Sequence, residues 1–163
     1  MLLGAQVAYA FQNRRAYAQE RQAQNINQRG REFLALRIMT YIGERFQTGN
    51  KPPSALEMAE ALRVPLRLAG QVLIVLVQAN LVAEMTGSET GYLPARPLDK
   101  ITAGDVLEAM RTGQGQDLAT CPDTARSVVR ERLTQIEQAE RDAARGVTLQ
   151  CLVNQSLGSQ ASA

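Results

Sequence analysis

Five carboxylates stand where they could take part in proton transfer. Glu57 with Glu60 and Asp105 with Glu108 lie one helical turn apart, and Asp99 stands alone. Paired carboxylates can act as general acid and base. However, Glu57 fits a helix cap, and Asp105 and Glu108 lie near a predicted helix start, where acids favour the helix dipole. We therefore interpret these carboxylates as residues of helix starts and of the surface rather than as catalytic groups.

The other residues that carry chemistry are scarce. The sequence has no histidine, which removes the commonest general base, the serine triad and most zinc sites. Its two cysteines, Cys121 and Cys151, match no CxxC pattern, and we interpret them as reduced structural thiols. The stretch 113–115 lacks the Lys-Ser/Thr of a phosphate loop. We predict no enzyme activity, no catalytic residue, no metal site and no cofactor.

The elements that would position these side chains are mostly helices. Of 163 residues, 45% are apolar and 4% aromatic, and helix-forming residues dominate. From Phe33 to Arg111 the predicted order is three helices and a hairpin. Ser54 and Glu57 form an S-x-x-E capping box, and Pro65 fits the first residue of the third helix. The predicted fold class is mainly α with a small β-hairpin, a winged helix-turn-helix with an N-terminal helix and C-terminal helices.

The chain divides into four predicted segments. They are an N-terminal helix or juxtamembrane segment at 1–28, a winged-helix domain at 29–111, a C-terminal helical extension at 112–153 and a disordered tail at 154–163. In the extension, a long helix is predicted over about 122–144 and a short one over 147–153.

The third predicted helix, at 65–79, argues against DNA binding. A helix in the major groove needs donors and acceptors. The candidates for contact with a partner or nucleic acid are Arg63, Arg67, Gln71 and Gln78. Because Ile74 and Val75 extend the apolar surface around this helix, we expect another element, a second copy or a longer protein to cover it. The wing tip carries Glu89 and no lysine or arginine that would bind a phosphate, which is a second argument against DNA binding.

Positive charge is concentrated at the N-terminus. Residues 1–31 contain five arginines and one acid, whereas the remainder has 13 basic and 15 acidic residues. The stretch 1–11 is apolar, and aromatic residues followed by arginines are typical of a helix that leaves a bilayer on the cytoplasmic side. An amphipathic leader helix on a soluble domain fits equally well. The candidates for contact with the membrane surface are Tyr9, Phe11, Arg14, Arg15 and Tyr17.

Several stretches together resemble the C-terminal region of the YihY/BrkB family of bacterial inner-membrane proteins, which carry the label tRNA-processing ribonuclease BN. These stretches are Gly4–Asn13, Phe33–Ile38, Val64–Leu68, Gly91–Ile101 and Asp105–Leu107. The resemblance covers about residues 1–111. It implies that 1–11 ends the last membrane helix, and that the chain is a cytosolic fragment at the inner face of the bacterial inner membrane. Nuclease chemistry would have to lie outside this fragment.

A second resemblance concerns the arrangement of a winged helix, a long helix and a short terminal helix. It is similar to small dimeric repressors that sense iron–sulfur status through a three-cysteine loop after the wing. That region here offers only Cys121.

The first hypothesis is therefore an interaction or regulatory domain of an inner-membrane protein. Its partners would be a protein or its own membrane domain, the membrane surface, and a second copy. The alternative is a dimeric winged-helix transcriptional regulator that binds DNA through Arg63, Arg67 and Gln71 in the groove and through Arg14, Arg15 and Arg21 on phosphates. A third hypothesis, which follows from the family label, is part of a ribonuclease whose RNA cleavage depends on a metal and on Asp99 or Asp105.

Overall fold

The computed structural model describes residues 26–87, 90–113 and 122–160, with the side chain of residue 160 left out. In chain order the elements are α1 (Gln28–Gln47), α2 (Ala55–Leu62), α3 (Leu66–Gln78), β1 (Val82–Met85), β2 (Gly91–Pro94), a 3-10 turn (Leu98–Lys100), α4 (Ala103–Thr112), α5 (Thr124–Arg145) and α6 (Leu149–Gln160). The predicted fold class, mainly helical with one antiparallel hairpin, is confirmed.

Helix caps account for two of the candidate carboxylates. Ser54 donates its backbone N–H to Glu57 Oε2 at 2.7 Å, and the Glu57 N–H donates to Ser54 Oγ at 3.2 Å. Thr102 and Asp105 form the same reciprocal pair at the start of α4, at 2.9 and 3.1 Å. Each capping box satisfies two backbone donors that a helix start otherwise leaves unpaired. Glu57 and Asp105 therefore serve the fold.

The hairpin closes the helix-turn-helix. Asn80, in the left-handed region with φ 55°, ends α3 and leads into β1. In the antiparallel register, Val82 pairs with Pro94 and Met85 with Gly91. The Tyr92 N–H donates to the Pro53 carbonyl at 3.1 Å, which ties β2 to the segment before α2. Residues 88 and 89 lie outside the described ranges, so the predicted acidic wing tip stays a prediction.

One apolar core joins α1, α3, α4 and α6. Its largest fully buried side chains come from α1, α2, α3, β1, α6 and two connections: Ile38, Met39, Ile42, Met58, Leu68, Val72, Leu73, Leu76, Leu81, Val82, Ile101 and Leu149. Helix α4 adds the buried Val106, Ala109 and Met110. Burial of such side chains is the main source of stability in a small domain. Since α3 contributes four of these residues, its position in the fold is fixed from one side.

The C-terminal helix packs on α1. Leu149 and Val153 are buried in the core, and Val153 Cγ2 lies so close to Gly43 that a Cβ there would meet it at 2.6 Å. The prediction of a disordered tail from residue 154 is wrong for residues 154–160, which continue α6. Packing of Val153 against α1 explains this difference, because tertiary contacts support a helix whose polar sequence has little propensity of its own.

Gly43→Ala is expected to lower the free energy of unfolding by about 1–3 kcal/mol, because the added methyl overpacks the contact with Val153. Urea denaturation measures the change. Gly158→Ala is the matched control, since a Cβ there meets nothing within 4 Å. Equal losses in the two variants would contradict the packing of α6 on α1.

Candidate nucleic-acid interface

Helix α3 has two chemically distinct sides. Val75 is 2% exposed and belongs to the core, whereas Ile74 is 57% exposed. The expected cover by another element is thus found for Val75, which packs near the end of α4, whereas Ile74 has no cover among the described residues. The core covers one side of α3, and the opposite side carries Arg67, Gly70, Gln71, Ile74 and Gln78, which we call the α3 outer face. Arg63, the fourth residue predicted with Arg67, Gln71 and Gln78, is exposed in the turn before α3.

The turn before α3 positions the first of these residues. Arg63 ends α2 in the left-handed conformation, with φ 54° and ψ 45°. Its backbone N–H and that of Val64 donate to carbonyls of the last turn of α2, at 3.1 and 2.9 Å. This tight connection places Arg63 in the turn directly before α3, where its side chain is exposed, as is that of Arg67 in the first turn of α3.

Helix α1 orients Gln71. Arg31 Nη2 donates to Gln71 Oε1 at 3.0 Å, across 40 positions of sequence. A side-chain amide held by its oxygen keeps a defined direction for its NH₂ donors. Gln71 is consequently more constrained than a free surface glutamine.

Sequence reasoning missed Gly70 and Ile74 as members of this surface. The signal was present, since positions 67, 70, 74 and 78 follow the three- and four-residue spacing of one helix side. The apolar character of Ile74 predicts a covered position, and the sequence alone does not show which side of α3 the other helices reach.

A second surface lies on α5, and it is strongly apolar. None of the residues of this 22-residue helix is buried. The α5 stripe consists of Val128, Val129, Leu133 and Ile136, which are 53–64% exposed. Four aliphatic side chains on one side of an exposed helix are typical of a protein–protein contact.

Arg111 attaches α5 to the winged-helix body. Its Nε donates to Glu32 Oε1 on α1 at 2.8 Å, and its Nη1 and Nη2 donate to the two oxygens of Glu140 on α5, each at 2.8 Å. Glu32 is mostly buried, and Gln28 Nε2 also donates to it at 3.3 Å. A forked guanidinium is suited to such two-sided binding. Arg111 thus joins three helices at one point.

The ion pair changes the acidity of both partners. The hydrogen bonds that Arg111 donates to Glu140 and then to Glu32 raise the pKa of Arg111 above its ordinary range. The hydrogen bond from Arg111, followed by its positive charge, lowers the pKa of Glu140. Both groups therefore stay charged at neutral pH, and the link between α4 and α5 is maintained.

A crevice of about 520 Å³ runs between α4 and α5. Leu107, Arg111 and Thr112 line it from α4, and Leu133 and Glu137 line it from α5. Leu133 also belongs to the α5 stripe. The crevice and the stripe consequently form one continuous surface.

The donor atoms do not fit a cluster held by three cysteines. The sequence contains two cysteines and no histidine. Cys121 lies outside the described residues, and Cys151 is exposed on α6, where its Sγ accepts from Gln155 Nε2 at 3.5 Å. Across 26–87, 90–113 and 122–160, no three His, Cys, Asp or Glu side chains form a group that could hold a metal ion.

Comparison with known proteins gives a family and a fold. A family model described as Rrf2, iron-dependent transcriptional regulator, matches residues 28–155. The structure of IscR from T. potens is similar, with a TM-score of 0.63 and 19% identity over 85% of this chain and 93% of that chain. The structure of CymR (YrzC), the global cysteine regulator of B. subtilis, has a TM-score of 0.57 and 23% identity over 80% of this chain and 96% of that chain. At these identities the likeness to solved structures concerns the fold alone. No curated protein gave a match.

These findings correct the main functional prediction. The resemblance to YihY/BrkB inner-membrane proteins is wrong, because the family match points to a class of transcriptional regulators. The predicted role as a domain of a membrane protein and the predicted location at the inner membrane are wrong for the same reason. The alternative prediction, a DNA-binding regulator, agrees with the match. The prediction that the chain is not an enzyme is confirmed.

The residues proposed for membrane contact cannot be placed. Tyr9, Phe11, Arg14, Arg15 and Tyr17 all lie outside the described residues. Among the helices between residues 26 and 160 that the structure describes, none combines the length and the apolar character needed to cross a bilayer. A membrane partner has no support from the family match.

Arg111→Gln is expected to flatten the pH dependence of stability in acid. Glu140 binds a proton less readily in the folded chain, so its contribution is complete above its ordinary pKa of 4.5 and is lost as the pH falls below that value. Thermal melts between about pH 6 and about pH 3 measure this loss. It should be smaller in Arg111→Gln than in the wild type.

The double variant Arg111→Gln/Glu140→Gln serves as the control for this experiment. It should follow the single variant, because the ion pair is already absent there. A wild-type pH dependence in Arg111→Gln would contradict the role given to this pair.

Proposed function

Since the chain belongs to the Rrf2 family of transcriptional regulators, we propose that it is a DNA-binding regulator that acts as a homodimer. Rrf2 regulators bind DNA and often act as dimers. In this proposal the α3 outer face enters the major groove, and the α5 stripe pairs two copies. The observation that supports it is that Arg67, Gln71 and Gln78 lie on the side of α3 opposite the core, in the second helix of a helix-turn-helix, with Arg63 exposed in the turn before it.

The chemistry of the α3 outer face suits base edges in the major groove. Arginine forms two hydrogen bonds with guanine, and glutamine forms two with adenine. Arg67 lies in the first turn of α3, and recognition helices contact base edges through their N-terminal residues. Arg63, one turn earlier, is suited to a phosphate. The modest net charge of +2 is no obstacle, because the charges that matter are local.

A second copy is the cover that best fits the α5 stripe. Val129, Leu133 and Ile136 are aliphatic and lie together, and exposing them to water is unfavourable. A two-fold axis along α5 would bring each stripe against its counterpart, as in an isologous contact. Two α3 outer faces would then meet one DNA duplex in half-sites separated by about one helical turn or a multiple of it.

DNA binding is tested first by fluorescence anisotropy with duplexes selected from a random pool by the wild-type chain. Arg67→Ala should weaken binding by about tenfold or more, because a bidentate contact to a base contributes about 1–3 kcal/mol. Arg37→Ala, which removes the same charge from an exposed position of α1, is the matched control and should have a small effect. Binding without salt dependence, or equal losses in both variants, would contradict the proposal.

The dimer is tested separately by light scattering after size-exclusion chromatography. The double variant Val129→Ser/Ile136→Ser should shift the molar mass from dimer to monomer and weaken binding to the selected duplex, since the half-sites are no longer linked. Leu56→Ser changes an exposed aliphatic residue outside α5 and should remain dimeric. A monomeric wild type, or a dimeric double variant, would show that α5 does not pair the two copies.

A further inference from the structure

We infer that the α3 outer face reads a thymine methyl group through Ile74, with Gly70 allowing the helix to approach the base pair closely. This inference rests on the proposed function, in that α3 must lie in the major groove. It adds a preference for one base and two residues, Gly70 and Ile74, whose side chains form no hydrogen bonds.

Ile74 is an apolar side chain on an otherwise polar surface. It is 57% exposed, whereas the neighbouring Leu73 and Val75 are buried in the core. A β-branched residue is also a poor choice for an exposed helix position, because its χ1 freedom is restricted there. Neither core packing nor helix propensity therefore accounts for it. In the major groove, the C5 methyl of thymine is the apolar group that a base pair presents.

Gly70 lies one turn before Ile74, and the fold gives no reason for it. A Cβ added at Gly70 would meet nothing within 4 Å. Among the described glycines, a positive φ occurs at Gly49 and not at Gly70. Glycine weakens a helix interior relative to alanine. Among the described residues no contact requires its small size, and it leaves room for a base pair to approach the helix backbone beside Ile74.

Gln71 supports the same base preference. It lies three positions before Ile74 on the α3 outer face, and Arg31 holds its carbonyl oxygen at 3.0 Å. A glutamine amide pairs with adenine in the major groove. An adenine contacted by Gln71 and a thymine methyl contacted by Ile74 both require A·T pairs. The selected half-site should therefore contain A·T pairs where the middle of α3 lies.

The test replaces thymine by uracil, which lacks the C5 methyl and keeps all hydrogen-bonding groups. Each thymine of the selected duplex is replaced in turn, and anisotropy gives the affinity of the wild type and of Ile74→Ala. At one thymine per half-site, the wild type should lose about fourfold for each methyl group removed, the value expected for burial of one such group. Ile74→Ala should bind the thymine duplex more weakly and should not respond to uracil at that position.

Leu56→Ala is the matched control, because Leu56 is 53% exposed on the preceding helix. It should retain the full response to uracil. Gly70→Ala should raise the melting temperature by about 3 °C, as a better helix former, and yet weaken DNA binding about tenfold or more. A more stable variant that binds DNA less tightly would show that the added methyl blocks the approach of DNA to α3, because a folding defect would lower the melting temperature instead.

Four results would overturn the inference in whole or in part. If every uracil duplex binds the wild type as tightly as thymine DNA, or if Ile74→Ala responds to uracil as the wild type does, the methyl contact is absent while the proposed function stands. If Gly70→Ala binds DNA as tightly as the wild type, the claim that Gly70 lets a base pair approach α3 closely is wrong. If the wild type selects no sequence and shows no salt-sensitive binding to duplex DNA, the proposed function and this inference fail together.

Discussion

Burial of one side of α3 is the constraint on which the rest of the structure depends. Leu68, Val72, Leu73 and Leu76 lock this helix into the core formed with α1, α4 and α6, and they leave little freedom for it to rotate. The opposite side must then face outward whatever its composition. A rigid helix with a fixed solvent side is what recognition of a groove requires, because a polar contact that is displaced by a fraction of an ångström loses most of its value.

Helix α5 relates to the body in a different way. Apolar burial does not fix it, since none of its residues is buried. Its attachment relies on the Arg111–Glu140 and Arg141–Glu108 ion pairs and on close packing of Ala144 near Gly104. Exposed ion pairs contribute little to stability by themselves. Helix α5 is therefore attached more weakly than α3.

Local sequence signals predicted the elements well. The capping box at Ser54 and the turn before α3 lie where the pattern placed them, since a cap depends on a few neighbouring residues. Contacts across long sequence separations, such as Arg31 with Gln71 and Arg111 with Glu32, carry no local signature. The apolar residues around α3 predicted a cover for Ile74 as well as for Val75, and the sequence does not show which of the two another helix reaches. The membrane assignment drew on residues 1–11, outside the described structure, and on packing and turn motifs, which identify no function.

The most direct test of the account asks what contacts the α3 outer face. A photoreactive benzoylphenylalanine placed at position 74 of the full chain would be irradiated with the selected duplex, and again at position 56 for comparison. The account expects a covalent adduct with DNA from position 74 and little or none from position 56. Adducts from position 74 with a second protein chain, and none with DNA, would contradict the claim that this face binds DNA.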